Sequence, residues 1–153
     1  MYLITNTSYK KAMIDINFHN LMMITQAVLH KKVFTKLSDT KLSLGQPKVL
    51  DYLGNHNGCV QKDIAAACQI EPATVTSLLG RMEENNLIER KSLNGNRRSQ
   101  YVYLTENGEK MQDRVKSVFD ELEGIAFEGF SEQEKNAFIQ QLYRIYCNMT
   151  KED

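Results

Sequence analysis

Apolar positions recur every three or four residues along most of this chain, and in two short stretches they alternate instead. From Ser8 to about Leu37 there is no Gly or Pro, and Ile14, Phe18, Leu21, Met22, Val28, Leu29, Val33 and Phe34 fall on one wide face. That spacing predicts a single long helix. At 1.5 Å per residue it would reach about 45 Å, longer than a small domain is wide, so it needs cover from another element or another subunit. Ser38 to Gly45 reads as a linker. A helix from Gln46 to about Leu53 follows, with Pro47 in its first turn and Val49, Leu50 and Leu53 facing inward. Gly54 to Gly58 reads as a turn, and Cys59-Val60 as a short strand.

The region from Gln61 to Thr105 organises the rest. Gln61 to Cys68 is a short helix with Ile64, Ala65 and Ala67 as its small apolar face, and the chain breaks at Gln69-Ile70-Glu71. Pro72 suits the first turn of a second helix, where its missing N–H has no partner to lose. That helix runs to about Asn86, and two short helices joined by such a turn form a helix-turn-helix unit. Val75, Leu78, Leu79 and Met82 mark its buried side. The opposite side carries Ala73, Ser77 and Gly80, flanked by Thr74, Thr76 and Arg81. A helix that enters the DNA major groove needs such a face: nothing bulky, hydroxyls, and one cation. A small-residue face packed on another helix would read the same way. Next, Leu87 to Lys91 and Gln100 to Leu104 alternate as strands do, around the turn-forming run Asn94-Gly95-Asn96-Arg97-Arg98. Such a hairpin has a basic tip that can lie along a DNA backbone with an arginine in the narrow minor groove. A solvated hairpin is the other reading. Helix pair and hairpin together point to double-stranded DNA as the partner.

Thr105 caps a helix that runs to about Phe127, with Met111, Val115, Val118, Phe119, Leu122, Ile125 and Ala126 at three-four spacing. Gly129 ends the region, and Ser131 with Glu134 forms a capping box. The last helix has Phe138, Ile139, Leu142, Ile145, Tyr146 and Met149 on its apolar face. Apolar helices at both ends of a small core suggest a homodimer whose ends interlace. The expected fold is mainly α with a small β-wing. A winged helix-turn-helix core, residues 46–105, is flanked by dimerisation helices 8–37 and 106–150 within one domain, 1–153.

Charge and composition refine this picture. The net charge is zero, which argues mildly against a DNA partner, but the charge is unevenly spread. Residues 1–45 hold six Lys against two acids, residues 46–105 seven Lys or Arg against six, and residues 106–153 six against eleven. The acid therefore lies away from the proposed DNA face, which can stay locally positive. The start of the chain lacks the pattern of a secretory leader, and no apolar run approaches the ~20 residues of a membrane span. Three cysteines, at 59, 68 and 147, leave one unpaired in any intramolecular scheme and show no metal spacing, so a reducing cytoplasm is expected. They read as small buried hydrophobes, with a thiol switch as the alternative. Asp15 and His19 stand four apart without a third ligand, so neither a metal nor a cofactor is expected. No nucleophile elbow, zinc-protease motif or phosphate-binding glycine loop is present, which leaves no case for an enzyme.

The stretch from Gly58 to Met111, GCVQKDIAAACQIEPATVTSLLGRMEENNLIERKSLNGNRRSQYVYLTENGEKM, resembles the winged-helix core of MarR-family (multiple antibiotic resistance regulator) transcription factors. The match includes Leu87-Ile88-Glu89-Arg90 and the exit Leu104-Thr105-Glu106-Asn107-Gly108. Two departures stand out. Asn96 precedes Arg97-Arg98 where the family usually has Asp, which loosens the wing, and Val60 stands where Ser or Thr often caps a helix, a loss of ~1 kcal/mol. The resemblance implies a dimeric regulator, most often a repressor, on a pseudo-palindromic operator. Gln61 and Lys62 would hold the flanking backbone, Ala73, Thr74, Thr76, Ser77 and Arg81 would face the major groove, and Asn96, Arg97 and Arg98 would serve the wing. It also implies release by a small aromatic or phenolic effector bound between the dimer arms and the core. Met13, Met22, Met23, Phe34 and Met111 are candidates to line that pocket, or else plain core. The competing function is a winged-helix dimer that docks a protein, as an antirepressor does, without specific DNA binding.

Overall fold

The computed structural model describes residues 16–92 and 100–151. Its elements are α1 (Phe18–Lys36), α2 (Gln46–Asn55), β1 (Cys59–Val60), α3 (Gln61–Cys68), α4 (Pro72–Glu84), β2 (Ile88–Ser92), β3 (Gln100–Leu104), α5 (Glu106–Ala126) and α6 (Glu132–Met149). The three strands form one antiparallel sheet in the order β1-β3-β2. β2 and β3 pair from Ile88 opposite Leu104 to Ser92 opposite Gln100, and Cys59-Val60 adds the expected third strand through Val102 and Tyr101.

One core joins these pieces. Val49, Leu50 and Leu53 of α2 meet Val115, Val118 and Leu122 of α5, and the same cluster takes in Ile64, Cys68, Val75, Leu79, Met82, Ile88 and Val102. It is the buried side that periodicity marks out on α2 and α4, and on α5 as far as Leu122, beyond which Ile125 and Ala126 are exposed. The small winged unit therefore has its own apolar interior, the dominant stabilising term for a domain of this size.

The junction between sheet and α5 explains the Leu-Thr-x-x-Gly run. The Thr105 side chain accepts from the Gly108 N–H at 3.0 Å, capping α5, while its own hydroxyl donates to the Asn86 carbonyl at 2.6 Å. The Thr105 N–H donates to the Leu87 carbonyl at 3.1 Å. Gly108 lies so close to that same carbonyl that a Cβ there would sit 1.8 Å from the Leu87 oxygen. Glycine is required by the close approach of two backbones.

Three expectations need correction. The first helix does not run unbroken from Ser8. Asn17 has extended backbone and its side chain accepts from the Asn20 N–H at 3.1 Å, so α1 starts at Phe18 and spans about 28 Å. Residues 8–15 lie outside the described residues. α2 continues through Gly54 to Asn55, because Gly54 lies against the side chain of Gln112 on α5 and the turn begins only at His56. On α3 the third buried residue is Cys68, one turn from Ile64 and against α2, whereas Ala67 is exposed. No residue of α6 is buried among the described residues, its apolar face included. The same holds for most of α1, where Val33 alone is buried while Phe18, Leu21, Met22 and Leu29 remain exposed.

Candidate nucleic-acid interface

α3 ends at Gln69, which adopts the left-handed conformation at φ 50°, and its side chain donates to the Ala66 carbonyl at 2.9 Å. The Ile70 N–H closes the turn onto the Ala65 carbonyl at 3.0 Å. Pro72 then opens α4 at its first position without a side-chain cap, as expected from its fixed φ. The N-terminus of α3 is likewise uncapped, with Val60 at the capping position.

Val75, Leu78, Leu79 and Met82 anchor α4, which turns Ala73, Thr74, Thr76, Ser77 and Arg81 to solvent together. The expected reading face is therefore continuous, and among the described residues no other helix packs on it. Its hydroxyls are less free than the sequence implies. The Ser77 hydroxyl donates to the Thr74 carbonyl at 3.0 Å, and that of Thr76 donates to the Pro72 carbonyl at 3.0 Å. Gln61, the first residue of α3, reaches across and donates from Nε2 to the Thr76 oxygen at 2.7 Å. Lys62 is exposed beside it. Among the described residues, neither Lys62 nor Arg81 has an acidic partner, so both charges stay available to a polyanion.

Asn96, Arg97 and Arg98 lie outside the described residues. The β2–β3 ladder fixes the two ends of the segment that holds them, Ser92 and Gln100, opposite one another at the far end of the sheet.

Reading by periodicity missed the latch between α4 and the sheet. Arg90 donates to one Glu83 carboxylate oxygen from Nε at 3.0 Å and from its terminal nitrogen at 2.5 Å, and the Arg90 backbone N–H reaches the other oxygen at 3.3 Å. The hydrogen-bonded Arg90 side chain holds the Glu83 carboxyl below the usual carboxylate range. Of the two acids that follow the reading face, Glu83 is thus paired with Arg90. A spacing of seven residues across a helix end has no periodic signature, so only the Glu83/Arg90 charge complementarity could have suggested it.

The four candidate effector residues that the structure describes do not converge. Met22 lines an apolar groove of about 560 Å³ between α1 and α6, with Phe18, Leu21, Phe138 and Ile145. Phe34 lines a cavity of about 300 Å³ with His30, Pro47, Lys48 and Phe119. Gln26 and Leu29 border both, so these two form one trough along α1. Met111 belongs to a separate hollow of about 310 Å³ beside Asp39 and Leu87. Met23 is 68% exposed, and Met13 lies outside the described residues. Burial pushes the Cys59 and Cys68 thiols up, so both stay protonated at neutral pH. Among the described residues there is no group of three metal-ligating side chains, and no helix is long and apolar enough to cross a membrane.

Known proteins share this arrangement. The MarR family model matches residues 42–100, the span of the helix-turn-helix and most of the hairpin. The HTH-type transcriptional regulator BilQ of Clostridium symbiosum is 26% identical over 111 residues, covering 72% of this chain and 77% of that regulator. Staphylococcus aureus MepR in its DNA complex is 27% identical and superposes with a TM-score of 0.80 over 89% of this chain and all of MepR. A further structure of MepR, the transcription regulator of the multidrug efflux pump MepA, superposes with a TM-score of 0.63 at the same identity, over 88% of this chain and all of MepR. With the reading face, the sheet order and the Thr105–Gly108 junction all in place, residues 42–100 match the MarR family model and the chain as a whole is similar to winged helix-turn-helix transcriptional regulators.

Proposed function

We propose that two copies of this chain form a twofold dimer that binds a pseudo-palindromic operator and represses transcription by covering a promoter. The observation that carries this reading is the pairing of two uncovered surfaces of opposite character. One is the polar, cationic face of α4. The other is the apolar face shared by α1 and α6, with Phe18, Leu21, Met22, Phe138, Ile139 and Tyr146 exposed together. Exposed apolar area of that extent calls for a partner, and a self-complementary pair of helices suits a twofold mate. The dimer would present its two α4 helices about one DNA turn, ~34 Å, apart. Ala73, Thr74, Thr76, Ser77 and Arg81 would enter the major groove, Gln61 and Lys62 would meet the backbone beside it, and Asn96, Arg97 and Arg98 would follow the wing into the minor groove.

A small aromatic or phenolic acid is the proposed releasing effector. The trough along α1 supports it, because Phe34 and Phe119 offer ring surfaces and Lys48 and His30 stand at its wall. A ligand there would favour one spacing of the α4 helices over another. The site of action is the cytoplasm, where DNA is reached without crossing a membrane. The second reading, a dimer that docks a protein, draws on the zero net charge and on Asn96 in place of an acid.

Fluorescence anisotropy against the duplex immediately upstream of its own gene, at two salt concentrations, tests the proposal. Tight binding that weakens with salt is expected, with lost specificity in Arg81→Ala and lost general affinity in Arg98→Ala. Equal, weak binding to every duplex, untouched by either substitution, would move the weight to the protein-docking reading.

A further inference from the structure

The bond between Gln61 and Thr76 assigns a role that neither residue has by position alone. A threonine hydroxyl has one proton and two lone pairs. In Thr76 the proton points to the Pro72 carbonyl, one turn back along α4. Its oxygen can then only accept, so the Gln61 atom at 2.7 Å must be the amide nitrogen and not the amide oxygen. Two groups remain on the Gln61 carboxamide, its second N–H and its Oε1, and neither meets a partner among the described residues. The side chain is half-buried at its root, where α3 begins, and pinned at its tip on the solvent face of α4.

We infer that Gln61 reads a base edge in the major groove and that Thr76 is the residue that positions it. This rests on the DNA-binding reading above and changes its detail. The hydroxyl of Thr76 has no proton to offer a base, so the polar chemistry at that point of the reading face comes from α3. An amide with a donor and an acceptor side by side matches adenine, whose N7 accepts and whose N6 donates. The partner is therefore an A·T pair at one position of each half-site. A contact to phosphate would use the N–H alone and would be blind to sequence. Pinning also matters for strength, because a glutamine held by Thr76 before DNA arrives loses little rotamer freedom on binding. Valine at 76 has the same branched shape but neither donates nor accepts, so it removes the pin and leaves the reader.

The experiment starts from an operator selected by the wild-type protein from a random-sequence duplex library. Each half-site position is then varied through all four base pairs, and anisotropy titrations are run with wild type, Gln61→Ala, Thr76→Val and the double variant. Thermal unfolding confirms that each variant is folded. Wild type should favour adenine by about tenfold or more at one position per half-site, the discrimination expected of a bidentate pair. Gln61→Ala should flatten that position alone, Thr76→Val should flatten the same position in part, and the double variant should match Gln61→Ala. Uniform loss of affinity at every position in Gln61→Ala overturns the inference in favour of a phosphate contact. A Thr76→Val effect at a different position, or none, overturns the pin. Failure of the wild type to select any sequence is a different result, and it sinks the DNA-binding reading together with this one.

Discussion

Gly108→Ala is the substitution that tests the junction between sheet and helix most sharply, because two general effects predict opposite signs. Within a helix, alanine is favoured over glycine by up to ~1 kcal/mol. Here the new Cβ would stand 1.8 Å from the Leu87 carbonyl oxygen and 2.9 Å from its carbon, both backbone atoms that no rotamer change can clear. Reaching ordinary contact requires α5 to lift from the end of β2 by roughly 1.5 Å, in an interior that packs too densely to absorb it. The lift would stretch the Thr105 N–H bond to Leu87 and the Thr105 hydroxyl bond to Asn86, each with a net contribution of ~1 kcal/mol. Overpacking adds ~1–3 kcal/mol more. Set against the helix gain, the net effect is a destabilisation of ~2–4 kcal/mol. For a chain of this length, that lowers the midpoint of thermal unfolding by ~5–15 °C. Circular dichroism melts at one fixed protein concentration measure it, since a dimer's midpoint depends on concentration. Gly80→Ala is the control: nothing lies within 4 Å of its Cβ in α4, so the same substitution should raise the midpoint. A Gly108→Ala protein that melts at or above the wild-type temperature would refute the reasoning.

Glu83→Gln should destabilise the fold at neutral pH, because Arg90 loses a charged acceptor. The folded-state value of Glu83 lies below its ordinary 4.5, so its contribution is complete above that pH and fades as pH falls through the lower, folded value. Melts of the two proteins should therefore differ at pH 7 and converge in acid; a gap that persists unchanged in acid would contradict the sign. Phe138→Asp places a charge on the apolar face of α6, where the Phe138 ring meets Phe127 and is still 49% exposed. Sedimentation should show monomers with an unchanged far-ultraviolet spectrum, and a persisting dimer would remove α6 from the interface. Lys62→Ala should lower affinity equally across sequences and reduce the slope of log affinity against log salt by ~1.

Much of this architecture was legible in the sequence because local chemistry decided it. Pro72, Thr105 and the Ser131/Glu134 pair each mark a helix start by a backbone rule that holds regardless of surroundings. The limits of α3 and β3 were readable for the same reason. The misses occur where a local signal met a stronger one. The apolar spacing from Ser8 onward continues through Asn17, and periodicity carries no penalty for a side chain that bonds its own backbone. Ala67 and Cys68 are both small and apolar, so only the presence of α2 on one side decides between them. On the reading face, the sequence placed the residues on the solvent side of α4 but did not report how their hydroxyls are engaged. Thr76 is exposed, as its position demands, yet its hydroxyl donates to the Pro72 carbonyl and accepts from Gln61. No property of either residue taken alone reports a bond between positions fifteen apart.

α5 has a mechanical consequence. Its first turn is bolted to the end of α4 through Asn86, Leu87 and Gly108, and its body runs 21 residues, about 31 Å, to the connection with α6. It therefore forms a stiff lever with its near end against the end of α4 and its far end among the apolar helices. A tilt of about 5° swings the far end by nearly 3 Å, on the order of half a helical turn. In the proposed dimer, a ligand that wedged the arms apart by so little would throw the two α4 helices out of step with the grooves, with no need to touch them.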